Sequence, residues 1–339
     1  MAFDRSSDCE TETDLDDVLQ PGTSLFHGQF RLGAFLNSGG FGITYLARDR
    51  LNRDVVLKEC FVPTFCHRTQ TSVRARSESG KAHLQKALNA FVTEAQTLAT
   101  LSHPNIVRVH QLFEDNDTAY MALDHIKGHD LLEVIDEKKA TLTPDQIVAM
   151  TRKLVSAVGH IHDQHLLHCD ISPDNICLRP DGDPVLIDFG SARKIVEGVG
   201  APHGGFSMVK DGYSPPELYA AAGTCGPFSD IYALGASLYH AVSGAAPTDS
   251  QTRLTAVSEG LPDPVKPLAG AVSGYPPGFL ASIDKALSVQ PADRHRSAQD
   301  WLQTLDRPVV TVHRNVALLR RIVVSPAPAR VMEGQAQSA

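Results

Sequence analysis

The spacing of apolar side chains divides this chain into a half rich in strand patterns and a half rich in helical ones, and that division constrains the fold more than any other feature. Between Phe30 and Leu123 the pattern is mostly that of strands and tight turns, whereas beyond Lys127-Gly128-His129-Asp130 apolar residues recur at helical spacing. From Phe30 to Ala47 a β-rich stretch is broken by the glycines of Ser38-Gly39-Gly40-Phe41-Gly42, and Asp54-Val55-Val56-Leu57-Lys58 reads as a further strand. Period-two alternation places Val56 and Lys58 on one face and Val55 and Leu57 on the other, so one face ends in a cation. Ile106-Val107 and Ala119 to Leu123 are expected to complete a small sheet. One helix interrupts it, with Leu84, Leu88, Phe91, Ala95 and Leu98 as its buried stripe. Glu94 sits beside that stripe, where a carboxylate is costly without a cation opposite.

The second half opens with Thr143-Pro144, an N-cap followed by proline at the first helical position. Ile147, Met150, Leu154, Val158 and Ile161 follow at helical spacing, and residues 230–242 and 278–288 also read as helices. At roughly 100 to 200 residues per domain, 339 residues suggest two packed units. The expected division is an acidic disordered tail over 1–27, a sheet-bearing lobe over 28–126, a helical lobe over 127–305 and a tail with five arginines over 306–339. Residues 61–83, with three Arg, one Lys and two His, read as a basic surface loop or insertion. The segment Val309 to Val324 is expected to dock in part.

Charge and cysteine usage exclude several classes. A net charge of −8 with no dominant basic patch makes nucleic acid an unexpected partner, because phosphate binding needs clustered Lys and Arg. Six cysteines without C-x-x-C or zinc-finger spacing read as free thiols of a reducing compartment. The first 17 residues carry seven acids and one Arg, the reverse of a secretory signal. The longest apolar-leaning stretch, Ile231 to Ala246, is shorter than the ~20 residues that cross a bilayer, so no membrane span and a cytoplasmic location are expected.

The chemistry lies in short motifs in a fixed order. Leu36-Asn37-Ser38-Gly39-Gly40-Phe41-Gly42-Ile43-Thr44 is a glycine-rich strand turn, Lys58 ends its strand, and Glu94 lies on the helix. His168-Cys169-Asp170 precedes Asn175 by five residues from the Asp, and Asp188-Phe189-Gly190 follows 13 residues after that. With these motifs the chain resembles the eukaryotic-type (Hanks-type) serine/threonine protein kinases, in particular their bacterial branch, from about Phe30 to Leu305.

The resemblance implies an α+β, bilobal fold: a small antiparallel sheet with one main helix, and a larger, mainly helical second lobe. It implies transfer of the γ-phosphoryl group of Mg-ATP to Ser/Thr hydroxyls of protein substrates, with autophosphorylation, and Mg²⁺ or alternatively Mn²⁺ as the ion. Lys58 would hold the α and β phosphates, oriented by Glu94, and Asp170 would accept or orient the substrate hydroxyl. Asn175 and Asp188 would bind the metal. Leu36, Asn37, Ser38, Gly39, Gly40, Phe41, Gly42 and Thr44 would cover the phosphates. Val56, Leu123 and Cys177 would border the adenine, Asp124, His125 and Ile126 would offer backbone groups to it, and Asp130 would lie near the ribose. Glu217 of Gly212-Tyr213-Ser214-Pro215-Pro216-Glu217 would pair with Arg294, and Asp230 would anchor the central helix; these three separate protein kinases from small-molecule phosphotransferases.

The chain also departs from the pattern. Asn37 replaces the first glycine of the phosphate loop, and Val56 stands where alanine usually borders adenine. Cys169 replaces the arginine that pairs with an activation-segment phosphate, so activity is expected not to require phosphorylation of Ser207. Ser172 stands where a lysine usually contacts the γ-phosphate, and Lys210 where a threonine usually flanks the catalytic Asp. Lys210 is therefore expected to reach back to Asp170 and restore the missing charge. These departures keep a second reading open, a nucleotide-binding pseudokinase or scaffold acting by docking. Ser6, Ser7, Thr11 and Thr13 are candidate autophosphorylation sites on a tail that otherwise reads as solubilising.

Overall fold

Alternation in the first third of the chain produces strands β1 (Ser24–Leu25), β2 (Phe30–Gly39), β3 (Gly42–Asp49) and β4 (Asp54–Cys60). A hairpin of β5 (Cys66–Thr69) and β6 (Ser72–Ala75) leads into helix α1 (Glu78–Leu98), after which β7 (Val109–Asp115) and β8 (Thr118–Asp124) return to the sheet. In this computed structural model, which describes residues 17–40, 42–137, 141–195, 209–220 and 223–306, the six-stranded sheet runs β1-β2-β3-β4-β8-β7 with every pair antiparallel. On β4, Val55, Leu57 and Glu59 are buried on one face, and Val56 and Lys58 are half-buried on the other. Ser77 caps α1 by accepting the Gly80 N–H, and Leu84, Phe91, Ala95 and Leu98 form its buried stripe.

The second lobe begins at β9 (His129–Asp130) and continues through α2 (Leu131–Asp136), α3 (Pro144–Asp163) and four short strands. These are β10 (Leu166–Leu167), β11 (Ile176–Leu178), β12 (Pro184–Leu186) and β13 (Arg193–Lys194). Helices α4 (Pro227–Ser243), α5 (Ser250–Ser258), α6 (Phe279–Ala286) and α7 (Ala298–Asp306) complete it. Thr143 closes a capping box with Gln146 at the start of α3, as the Thr-Pro signal implies. Residues Ser229 to Leu238 of α4 are buried without interruption, so this helix is the centre of the lobe, and α3 packs on it and on α7. The α+β, two-lobed architecture expected from the sequence is the one that forms.

Three expectations need correction. Residues 61–83 are not a surface loop: they hold the β5–β6 hairpin and the first turn of α1, with Phe61, Cys66 and Val73 buried. The basic side chain that suggested exposure, Arg68, is buried because Glu59 neutralises it with a bidentate ion pair, Nη1 to Oε1 3.0 Å and Nη2 to Oε2 2.6 Å. The expected tail over 1–27 is ordered from Asp17 onward, with Leu19 and Leu25 in the core of the first lobe. Ile106-Val107 belongs to neither edge of the main sheet; Ile106 bridges Leu186 in parallel, because the Val107 N–H donates to the Leu186 carbonyl across the lobes. Helices α2, α5 and α7 add to those expected. Residues 1–16, with Ser6, Ser7, Thr11 and Thr13, and 307–339, with Val309 to Val324, lie outside the described residues.

Candidate active site

Two neighbouring residues on β4 face opposite ways, and the outward one begins the site. The Lys58 ammonium lies 3.3 Å from Glu94 Oε1 of α1 and 2.6 Å from Asp188 Oδ1, which follows β12. Burial would strip Lys58 of its proton, but the two carboxylates outweigh it and hold its pKa above the ordinary lysine value. Burial likewise pushes the Glu94 carboxyl up against the pull of Lys58. Asp188 is pushed up by burial but held at about 2 by Lys58 and by the Gly190 N–H, so it stays ionised.

Across the cleft, Asn175 Nδ2 donates to the Asp170 carbonyl at 2.9 Å and to Asp170 Oδ2 at 3.0 Å, fixing the carboxylate. Burial pushes the Asp170 carboxyl up to about 6, with Asp188 and Asp174 adding to the shift and Lys210 opposing it. Lys210 reaches the site from a different part of the chain: its ammonium lies 3.4 Å from Asp170 Oδ1 and donates to Ser172 Oγ and Asp174 Oδ2, each at 2.8 Å. Asp188 and Cys169 both adopt left-handed backbone, φ 58° and 62°. For Cys169 that conformation aims its N–H at Asp230 Oδ1, 2.8 Å away, while the His168 N–H donates to Asp230 Oδ2 at 2.9 Å. Asp230, buried on α4, therefore holds the backbone that presents Asp170, with His162 Nε2 also 2.9 Å away. Phe189 packs on the His168 ring at 4.5 Å.

The donor chemistry around Asp188 suits a hard cation. Its carboxylate is half-exposed to the cleft, and with Asn175 Nδ2 engaged by Asp170 the side-chain Oδ1 of Asn175 is the oxygen it can offer. Oxygen ligands of this type fit Mg²⁺ or Mn²⁺. No three His, Cys, Asp or Glu side chains converge as a metal site among the described residues, so phosphate oxygens would have to complete the shell.

The glycine-rich turn joins β2 and β3. Leu36 is exposed at the top of β2, and Asn37 pairs with Thr44 while its Oδ1 accepts the Ser38 N–H at 2.7 Å, a local bond that stiffens the turn. A Cβ at Gly42 would lie 2.6 Å from the Glu59 carbonyl, whereas one at Gly39 would meet nothing within 4 Å. Gly42 is thus required by packing, and Gly39 leaves its backbone open. Gly40 is at the turn, and Phe41 lies outside the described residues. Val56 pairs with Leu123 on β8, and Cys177 pairs with Asp130, its thiol 3.8 Å from the Ile126 carbonyl. Two placements are narrower than expected. The Asp124 N–H is already given to the Arg108 carbonyl, and the Asp130 carboxylate caps α2 by accepting the Glu133 N–H at 2.7 Å. His125 Nδ1 is buried without a hydrogen-bond partner among the described residues.

Arg294, fully buried, forks onto Glu217 at 2.7 and 3.1 Å and donates to the carbonyls of Phe228, Ser288 and Val289. Ser229 Oγ also donates to Glu217, so the segment after Lys210 is anchored to α4 and to the turn following α6. The model of the protein kinase domain matches residues 31–304. The chain belongs to the protein kinase family. Its kinase domain is 32% identical to the solved chain described as "PpkA-294 apo form", with a TM-score of 0.72 over 86% of this chain and all of that one. It is 27% identical to the serine/threonine-protein kinase PknL of Mycobacterium tuberculosis over 81% of this chain and 64% of the relative. The serine/threonine-protein kinase PrkC of Bacillus subtilis is 27% identical, covering 80% of this chain and 39% of that protein. The chain thus spans less than two thirds of the curated relatives it matches.

Within the kinase domain two site residues escaped the sequence reading. Asp174 and His162 carry no motif of their own. Asp174 could have been found from Lys210, a cation placed among buried groups that needs a second carboxylate; His162 had no such signal. The cysteine that replaces the usual arginine, Cys169, is buried among Leu167, Leu218 and Cys225. Ser207 lies outside the described residues.

Proposed function

We propose that this kinase domain is an active protein serine/threonine kinase that transfers the γ-phosphoryl group of ATP to protein hydroxyls, including its own. The observation that carries the reading is the convergence of two ionic assemblies on one cleft: Lys58 with Glu94 and Asp188 on one wall, Asp170 with Asn175 and Lys210 on the other. A loose phosphoryl-transfer transition state needs positioning and charge neutralisation more than covalent chemistry, and this is what the two walls offer. Lys58, already oriented by Glu94, takes the α and β phosphates; the Gly39 backbone approaches them from above. Asp170 orients the attacking hydroxyl and takes its proton. Mg²⁺, when bound by Asn175 and Asp188, neutralises charge on the phosphates. Lys210 faces the transferred group from the substrate side.

The Glu217–Arg294 anchor supports a protein rather than a small-molecule acceptor, because it fixes the segment that borders Asp170 as a platform. A docking-only pseudokinase gains no support, since the Lys58–Glu94 pair is formed and Asp170, Asn175 and Asp188 are in place. No described helix is long and apolar enough to cross a membrane, and we place the kinase in the cytoplasm, with protein rather than nucleic-acid partners. The test is transfer of label from γ-labelled ATP with Mg²⁺, or Mn²⁺ in parallel, by wild type and Asp170→Asn, with phosphosites mapped by mass spectrometry. Label on Ser or Thr that vanishes in the variant is expected. A folded, nucleotide-binding wild type that transfers nothing would overturn the reading.

A further inference from the structure

Lys58 and Glu59 are adjacent on β4 and point to opposite faces, and each is held by an ion pair. Lys58 binds Glu94 on α1. Glu59 is buried against Arg68 of β5, and its carboxylate also accepts the hydroxyls of Tyr45 at 3.1 Å and Tyr120 at 2.6 Å. The hairpin that carries Arg68 is in turn fastened to the start of α1. Phe65 stacks on His83 of α1 at 4.7 Å, the Arg76 N–H donates to the Phe65 carbonyl, and Arg76 Nε donates to the Pro63 carbonyl at 2.8 Å. A closed circuit results: β4, Glu59, Arg68, hairpin, α1, Glu94, Lys58 and back to β4.

The N-terminal segment closes over this circuit. Asp17 Oδ1 accepts the Arg68 N–H at 2.7 Å, and the Asp17 carbonyl accepts Arg68 Nε at 2.6 Å. Two residues on, Leu19 is buried and its N–H donates to the Tyr45 hydroxyl that itself binds Glu59. The Arg68 backbone N–H and its Nε, together with one of the two hydroxyls on Glu59, that of Tyr45, are therefore tied to the N-terminal segment.

We propose that the Arg68 hairpin is an internal staple that holds α1 where Glu94 pairs with Lys58, and that the N-terminal segment, through Asp17, latches it. Arg68 and Asp17 are positioning residues: neither touches the cleft, and each acts through α1. The activity part of this inference rests on the kinase reading above; the positioning part does not. Buried charge explains why the device can be stiff. An Arg68 guanidinium sharing four of its donors among Glu59, Asp17 and the Thr71 carbonyl leaves its hairpin few alternative placements.

The test uses the full chain. Arg68→Ala would leave Glu59 buried and unpaired, so the informative variants are the charge-free pair Glu59→Gln/Arg68→Met and the single Asp17→Ala. Hydrogen exchange of α1, which needs no activity, is measured beside kcat and the KM for ATP. In the paired variant exchange over 78–88 is expected to rise at least tenfold relative to α4, with kcat falling tenfold or more. In Asp17→Ala the same residues should loosen by about threefold. Unchanged α1 exchange in a folded paired variant overturns the staple, and so does loss of activity without loosening of α1. Should the paired variant not fold, Asp17→Ala decides, and unchanged exchange there overturns the inference. If wild type transfers no phosphate, the functional reading fails while the exchange result still judges the staple.

Discussion

Burial pushes the Asp170 carboxyl up to about 6 although the Lys210 ammonium lies 3.4 Å away, so its charge changes near working pH. A group that must be ionised to accept a proton loses function as pH falls through its pKa, and kcat/KM is expected to show an acidic limb near pH 6. Lys210 favours the ionised form, so Lys210→Met should raise the Asp170 pKa and move the limb upward. The same variant should lower kcat by about 10- to 100-fold through loss of a cation at the transferred phosphate. Ser172 Oγ is 2.8 Å from the Lys210 ammonium, which means that a lysine at 172 could fill the same space. Ser172→Lys/Lys210→Thr is accordingly expected to recover at least a tenth of wild-type kcat. A double variant no better than Lys210→Met would show that the charge must come from the activation segment.

At the scale of elements, the turn between β2 and β3 separates two uses of glycine. Gly42→Ala should force β3 from β4, since the added Cβ meets a backbone carbonyl at 2.6 Å, and lower stability by about 1–3 kcal/mol. Gly39→Ala has room, so its melting temperature should stay near wild type while its KM for ATP rises. Calorimetry with and without nucleotide tells the two apart. The segment leading from Lys210 to α4 depends on one buried fork; Arg294→Ala leaves Glu217 without its partner and should cost about 3–5 kcal/mol in urea unfolding. How legible such elements were depended on partners. The α1 stripe and the unpaired Glu94 pointed to a cation and to Lys58, and both assemblies around Lys58 and Arg294 formed. The hairpin at Cys66–Ala75 was unreadable because Arg68 signals solvent until Glu59, with the two tyrosines that bond it, and Asp17 are brought around it.

For the whole molecule, the expected consequence is a kinase whose activity does not require an activation-segment phosphate. Cys169 offers no guanidinium and is buried among apolar neighbours, while Lys58 and Glu94 are already paired. Phosphatase-treated protein and Ser207→Ala should both retain activity within about threefold of wild type in a peptide assay. A tenfold loss in either would show that segment phosphorylation is required after all. The sequence by itself determined the two-lobed architecture and the motif residues proposed for the cleft, because strand and helix periods are local and those motifs occur at set spacings. Tertiary structure alone decided the remaining charge partners. Lys210, expected at Asp170, also finds Asp174, Arg68 finds Glu59 and Asp17, and Asp230 finds the backbone of His168 and Cys169, since such pairings depend on burial that draws distant segments into one low-dielectric interior.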